Sequence, residues 1–175
     1  MDQTLAELQG YDAGKGEKIP LLEDVINLCK GKRFVNIEIK PMQSIEVVSK
    51  VAAMIEAHQL YDGCCVSSFS HDFLAAIEGM TKGKLELGYL YECAKEAPLP
   101  SLDYIASHGN TANICFLDVT PEIAEAVHKK GMGLMAWITS AIPKEAEWYK
   151  KVLDAGTDVR CVNYPDLLIS HLKSS

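Results

Sequence analysis

The stretch that decides the fold is Asn36-Ile37-Glu38-Ile39-Lys40-Pro41. Side chains alternate along a strand, so positions 36, 38 and 40 face one way while positions 35, 37 and 39 face the other. The second set is apolar and β-branched, which is typical of a face covered by helices. The first set places a carboxylate and an ammonium near the carboxyl end of the strand, where Pro41 ends the ladder. In α/β barrels and open α/β sheets this end carries the functional site. An internal salt bridge in a barrel core is the alternative interpretation.

Extended and helical segments alternate along most of the chain. Strands are predicted at 34–39, 64–69, 85–90, 133–138 and 159–162, with a further extended run at 113–119. Helices are predicted to begin at Pro20, Ser44, Ser70, Ser101, Thr120, Lys144 and Pro165. Apolar strands separated by helices indicate an α/β fold with a parallel sheet and crossover helices. About six such units are too few to close an eight-stranded barrel of about 250 residues.

Size and composition restrict the class of protein. The 175 residues carry no linker or low-complexity tract, and 48% of them are hydrophobic, so we expect one domain over 1–175. No stretch reaches the roughly 20 apolar residues of a membrane span. The net charge of −7 and the absence of clustered Lys and Arg argue against nucleic-acid binding. No glycine-rich GxGxxG or P-loop motif follows a strand, which disfavours dinucleotide and ATP binding.

The six cysteines show neither the CxxC spacing of zinc sites nor a dense disulfide framework. Several lie in apolar runs, including the adjacent Cys64 and Cys65, where a reduced cysteine behaves as a small hydrophobic residue. We therefore expect reduced thiols and a cytoplasmic protein.

Several motifs, taken in order along the chain, resemble those of the glycerophosphodiester phosphodiesterase family. The most specific are Asn36–Lys40 and, about one βα unit later, Ser67-Ser68-Phe69. The others are Ile19–Glu23, His128–Gly131, Ala136-Trp137 and Asn163-Tyr164-Pro165. Members of this family are TIM barrels that hydrolyse glycerophosphodiesters to an alcohol and glycerol phosphate with a divalent cation. The resemblance thus implies an incomplete TIM (β/α) barrel and a phosphoric diester hydrolase.

The resemblance also assigns roles to four residues. Glu38 matches a carboxylate that holds Mg²⁺ or Ca²⁺ together with two others. Lys40 matches the ammonium that contacts the phosphate. Trp137 matches an aromatic residue that packs against the glycerol part of the substrate, and Phe69 lies at a strand end facing the same opening. These roles are chemically reasonable, because a hard cation prefers oxygen ligands and a diester's developing charge is stabilised by fixed cations.

The departures from the family pattern concern catalysis. The family opens with strands bearing His-Arg-Gly, Glu-x-Asp and His-Asp, and none of these occurs in the sequence. Residues 1–16 look like the segment after the third strand, so the first two or three βα units are expected to be absent. The general acid, the general base and two metal carboxylates would be absent with them. Where the family usually has Trp-Thr-x-Asn, this sequence has Trp137-Ile138-Thr139-Ser140. Where the family usually has Thr-Asp-x-Pro, it has Val162-Asn163-Tyr164-Pro165.

The histidines present do not replace the missing pair. His58 and His128 fall late in predicted helices, and His108 lies near a helix end before Gly109. His171 is in the C-terminal helix, so all four are away from the loops that follow strands. His71 follows a strand, but Ser70-His71-Asp72 is typical of a helix start. We therefore assign no catalytic residue, and we expect weak or absent metal binding and little activity from this chain alone.

Two further functions remain open from the sequence. A non-catalytic relative would bind a phosphorylated ligand or another protein, and an open barrel would self-associate through its unpaired strand edges. Lys40 could alternatively form a Schiff base with a carbonyl substrate, although nothing else in the sequence indicates aldol chemistry.

Overall fold

The structure, a computed structural model, describes residues 3–41, 43–93, 101–138 and 146–174. Its contacts divide the chain into two compact units, Met1–Val35 and Asn36–Ser175. None of the helices in the described ranges combines the length and the hydrophobicity that a membrane crossing requires.

The first unit contains two short helices, α1 (Leu5–Gly10) and α2 (Leu22–Cys29). A capping box starts α1, because Thr4 and Glu7 satisfy each other's backbone N–H groups. Between the helices, Oδ1 of Asp12 accepts hydrogen bonds from the N–H groups of Gly14 and Gly16. The periodicity of apolar residues does not predict α1, since this helix buries none of its side chains.

Six parallel strands follow one another in sequence order across a single sheet. They are β1 (Val35–Glu38), β2 (Cys64–Ser68), β3 (Glu86–Leu90), β4 (Thr111–Cys115), β5 (Gly133–Trp137) and β6 (Val159–Cys161). The described helices of the second unit are α3 (Ile45–His58), α4 (His71–Thr81), α5 (Leu102–His108), α6 (Pro121–Lys129), α7 (Ala146–Asp154) and α8 (Pro165–Ser174). The sheet curls into part of a barrel with helices between the strands. The predicted incomplete TIM barrel is confirmed.

The two faces of the sheet differ in their neighbours. Ile37 and Ile39 are buried, as the alternation along β1 predicted. On the opposite face, the register aligns Asn113 with Met135, and Trp137 with Cys161. Because paired residues on parallel strands share a face, this register brings side chains of successive strands together on the concave surface.

Most element boundaries lie near their predicted positions, with two differences. The helix predicted to begin at Pro20 begins two residues later, at Leu22. Its start is stabilised by Asp24, whose side chain accepts a hydrogen bond from the N–H of Leu21. The extended run predicted at 113–119 is wrong in position, because β4 is Thr111–Cys115 and a turn precedes Thr120. The predicted start at Lys144 lies outside the described residues.

Candidate functional site

A cavity of about 240 Å³ lies at the carboxyl ends of the strands in the second unit. One side is formed by residues of β1 and β2 and the loops that follow them: Asn36, Glu38, Lys40, Ser67 and Phe69. The other side is formed by residues of β3, β5 and β6 or just beyond these strands: Leu90, Met135, Trp137, Ile138, Cys161 and Asn163. All four residues named from the sequence therefore line one cavity.

Glu38 and Lys40 form an ion pair at the edge of the cavity. Nζ of Lys40 donates to Oε1 of Glu38 at 2.6 Å. The side chain of Lys40 is 66% exposed and that of Glu38 is 30% exposed, so both charges remain accessible. The ion pair is therefore not the salt bridge in a barrel core of the alternative interpretation, and the function of the two residues remains a prediction.

Asn36 lies on the same face of β1 as Glu38, two residues closer to the amino end of the strand. Its Oδ1 accepts hydrogen bonds from Oγ of Ser67 at 2.9 Å and from Sγ of Cys65 at 3.2 Å. These contacts join β1 to β2. Sequence reasoning placed Asn36 on this face but assigned it no role, although its position two residues before Glu38 was the available signal.

An aromatic pair connects the two sides of the cavity. The rings of Phe69 and Trp137 meet edge to face, with centroids 5.4 Å apart and planes at 88°. Nε1 of Trp137 is buried and has no hydrogen-bond partner among the described residues. The portion of the indole that reaches the cavity is therefore carbon.

Sequence reasoning missed the contributions of the last strands. Cys161 of β6 is paired with Trp137 of β5, and Asn163 lies two residues further along the chain. Both residues therefore face the same side as Trp137 and line the cavity. The same alternation applied to 159–163 would have found them.

A divalent cation does not fit the donor set of this cavity. Within the described ranges, no three His, Cys, Asp or Glu side chains cluster closely enough to hold a metal ion. Glu38 is the single carboxylate among the described lining residues, and its Oε1 is bonded to Lys40. Mg²⁺ and Ca²⁺ take six or more oxygen ligands, and Mg²⁺ gives up water reluctantly. The role of Glu38 as a metal ligand remains a prediction.

His71 lies close to the cavity but is held by other groups. Its Nε2 is 3.1 Å from the carbonyl oxygen of Leu90, and its ring packs edge-on against Tyr89 and Tyr91 at 5.0 Å from each. No histidine occurs among the lining residues that the structure describes.

Two cysteines form a disulfide, which corrects the expectation that the thiols are all reduced. Cys93 follows β3 and Cys115 ends β4, and the two are bonded with Cα atoms 5.1 Å apart. The residues are 22 positions apart in sequence, but neighbouring parallel strands bring their carboxyl ends together. Burial, with a smaller effect from Glu86, raises the pKa of Cys64 to about 11 and that of Cys65 to about 12. These two thiols stay protonated at neutral pH, as expected for packing residues.

The fold and the cavity define an incomplete α/β barrel with a polar and aromatic cavity at the carboxyl ends of its strands. No protein-family model matches the sequence. The chain is 29% identical over 178 residues to a glycerophosphodiester phosphodiesterase from Bacillus altitudinis, in a match covering 94% of this chain and 70% of that protein.

Solved structures share the fold of this chain. A candidate glycerophosphodiester phosphodiesterase from Galdieria sulphuraria has a TM-score of 0.87 at 24% identity, covering 98% of this chain and 71% of that one. An Oleispira antarctica phosphodiesterase, solved with the product sn-glycerol-3-phosphate, has a TM-score of 0.79 at 20% identity, covering 97% and 70%. The resemblance indicated by the motifs is confirmed, because the chain is similar over nearly its whole length to a glycerophosphodiester phosphodiesterase.

Proposed function

We propose that the cavity binds a small glycerophosphodiester, and that the 175 residues alone hydrolyse it little or not at all. The observation that carries this proposal is that Glu38, Lys40, Phe69 and Trp137 line one cavity at the carboxyl ends of the strands. The complex of the Oleispira antarctica relative with sn-glycerol-3-phosphate supports a ligand of this chemical class.

The lining groups suit the parts of such a ligand. The exposed ammonium of Lys40 can donate to phosphate oxygens while it remains paired with Glu38, because an ammonium has three donors. Phe69 and Trp137 offer carbon surface to the CH and CH₂ groups of glycerol. The amide of Asn163 lies on the same cavity and can bond a glycerol hydroxyl.

Low activity is expected from the chemistry that these residues lack. Hydrolysis of a diester requires a proton donor for the leaving alcohol and a base for the attacking nucleophile, each worth about 10²–10⁴ in rate. The described lining residues offer no histidine, and the carboxylate of Glu38 is paired with Lys40. Neither role therefore has a well-suited side chain in the described part of the cavity.

A hydrolysis assay tests the proposal directly. Glycerophosphocholine would be incubated with the protein and Mg²⁺ or Ca²⁺, with the Glu38→Ala variant in parallel. We expect no turnover above that of Glu38→Ala. Metal-dependent turnover that this substitution abolishes would overturn the predicted inactivity and establish Glu38 as part of a catalytic centre.

A second candidate function, association with another copy of the chain, is favoured by apolar side chains on β6, on α8 and between them. Five large hydrophobic residues there are exposed: Val159, Tyr164, Leu167, Ile169 and Leu172. Exposed apolar side chains beside the last strand of a sheet favour an interface there. Gel filtration with light scattering tests this candidate, and a monomer at all concentrations would refute it.

A further inference from the structure

The disulfide between Cys93 and Cys115 lies beside the cavity. Cys115 is paired in register with Trp137, so the two residues face the same side of the sheet on strands about 4.8 Å apart. Cys93 comes three residues after Leu90, and both Leu90 and Trp137 line the cavity. We propose that Cys93 and Cys115 form a redox switch, which favours ligand binding while they are bonded and weakens it when a dithiol reduces them.

Backbone hydrogen bonds connect both cysteines to the lining residues. The N–H of Tyr91 donates to the carbonyl oxygen of Asn113 at 3.1 Å, so the chain continues beside β4 beyond the end of β3. The N–H of Phe116, next to Cys115, donates to the carbonyl oxygen of Trp137 at 2.9 Å. The disulfide adds a covalent bond to these contacts, and it holds the described segment after β3 against the end of β4.

A cross-link at this position favours binding by restricting motion. A ligand that contacts a mobile side chain must first order it, and a disulfide that fixes the chain beforehand removes part of this cost. Trp137 also meets Phe69 edge to face, so a shift of the indole alters both aromatic groups of the cavity. Reduction should therefore weaken binding about two- to tenfold, which is the cost of ordering one side chain.

The two cysteines differ in their access to a reductant. Cys93 is exposed, whereas Cys115 is buried. A thiolate of the dithiol attacks Sγ of Cys93 and forms a mixed disulfide, while Sγ of Cys115 leaves as a thiolate and takes up a proton. The second thiol of the reductant then attacks the mixed disulfide and releases Cys93 as a thiol. Two electrons and two protons have passed to the protein, and the reductant has become a disulfide.

The nearby thiols do not compete for this bond. Burial raises the pKa of Cys64 and Cys65, so both stay protonated and react slowly. Cys161 lies two strands from Cys115, with Trp137 between them. That separation is about 10 Å, which exceeds the roughly 7 Å between Cα atoms that a disulfide can span. Reduction and reoxidation should therefore concern Cys93 and Cys115.

Collisional quenching by acrylamide tests the switch without a ligand. The sequence contains two tryptophans, so Trp148→Phe leaves Trp137 as the single indole. We expect dithiothreitol to raise the lifetime-corrected quenching constant of Trp137, because the indole becomes more accessible when its neighbour is released. Differential alkylation with mass spectrometry should show Cys93 and Cys115 reduced in the folded protein. An unchanged quenching constant, or a disulfide that dithiothreitol reduces only after unfolding, would overturn the inference.

Isothermal titration calorimetry with glycerophosphocholine measures the effect on binding, and this readout rests on the proposed function. We expect the reduced protein to bind about two- to tenfold more weakly than the oxidised protein. Cys93→Ser should bind as the reduced protein does, with or without dithiothreitol. Cys29→Ser, at a cysteine outside the disulfide, should respond to dithiothreitol as the unmodified protein does.

The outcomes separate the switch from the proposed function. Equal affinities in the two redox states would overturn the switch and leave the proposed function intact. If glycerophosphocholine binds in neither state, the proposed function fails, and the quenching of Trp137 alone decides whether the disulfide controls the cavity. The comparison of oxidised and reduced unmodified protein is sufficient even if Cys93→Ser does not fold.

Discussion

Nε2 of His128, near the end of α6, lies 2.9 Å from Oδ2 of Asp158, the residue before β6. The same carboxylate oxygen accepts a hydrogen bond from the N–H of Leu134 at 2.7 Å, so it also connects β5 to this corner. Both contacts lie at the amino ends of the strands, opposite the cavity. They stabilise the sheet without touching the candidate site.

Acid should weaken this corner. Burial raises the pKa of Asp158, but the hydrogen bonds from Leu134 and His128 outweigh it, and the pKa lies below its usual value. A carboxyl with a folded-state pKa below its unfolded value of about 3.9 stabilises the fold above that pH and stops doing so as the pH falls through the folded value. Asp158→Asn should cost about 0.5–1 kcal/mol at pH 7, since the carboxylate is half exposed, and less below about pH 4.

Urea unfolding at about pH 3, 5 and 7 measures this effect. Asp154→Asn is the matched control, because it removes a carboxylate from an exposed pair with Lys150 on α7. The control should change stability by under about 0.5 kcal/mol at each pH. An Asp158→Asn cost that is the same in acid as at neutral pH would contradict the assignment.

The disulfide should contribute to stability through the unfolded chain. Cys93 and Cys115 close a loop across a sequence separation of 22, and a cross-link of this length is worth about 2–4 kcal/mol. We expect reductant or Cys93→Ser to lower the midpoint of thermal unfolding by several degrees. Cys29→Ser, at a cysteine outside the disulfide, should leave the response to reductant intact. An unmodified protein with equal midpoints in oxidant and reductant would refute this prediction.

The disulfide also bears on the cellular setting. Disulfides persist in oxidising compartments and are rare in the cytosol. The cytoplasmic location thus remains a prediction that is at odds with this bond. Trapping thiols in intact cells, followed by mass spectrometry of Cys93 and Cys115, would show which state the protein has in vivo.

The polar face of β1 was predictable because it follows from the alternation of side chains alone. Ile37 and Ile39 had to turn to the helices, so Glu38 and Lys40 had to share the other face. The fold class followed for a similar reason, since apolar strands between helices have few other arrangements.

The contacts that depend on register could not be predicted in this way. The bond between Asn36 and Ser67 and the pairing of Cys93 with Cys115 require knowledge of which strands are neighbours and how far they are shifted. A single sequence shows which face a residue takes, but it does not give its position relative to the next strand.

Gly88 is required by a close approach within the sheet. A Cβ at this position would collide with the side-chain amide of Asn113, a residue that is only 1% exposed and is therefore closely surrounded. Gly88→Ala should destabilise the protein by about 1–3 kcal/mol, the usual cost of overpacking. Gly79→Ala is the matched control, because a Cβ added at that position in α4 would have no neighbouring atom within 4 Å. The control should be neutral or stabilising by up to about 1 kcal/mol, and equal effects in the two variants would refute the role of Gly88.

Lys40→Met should separate the contribution of the ammonium from that of its aliphatic chain. Methionine keeps much of the length and carbon surface, but it cannot donate to phosphate and leaves Glu38 without its counter-charge. We expect the affinity for glycerophosphocholine to fall about 10- to 100-fold, because a charge-assisted contact is lost and an anion now faces the phosphate. Lys129→Met, on the exposed face of α6, changes the net charge equally and should alter the affinity by less than about twofold. If both variants bind glycerophosphocholine as the unmodified protein does, the phosphate does not contact Lys40 and the ligand lies elsewhere in the molecule.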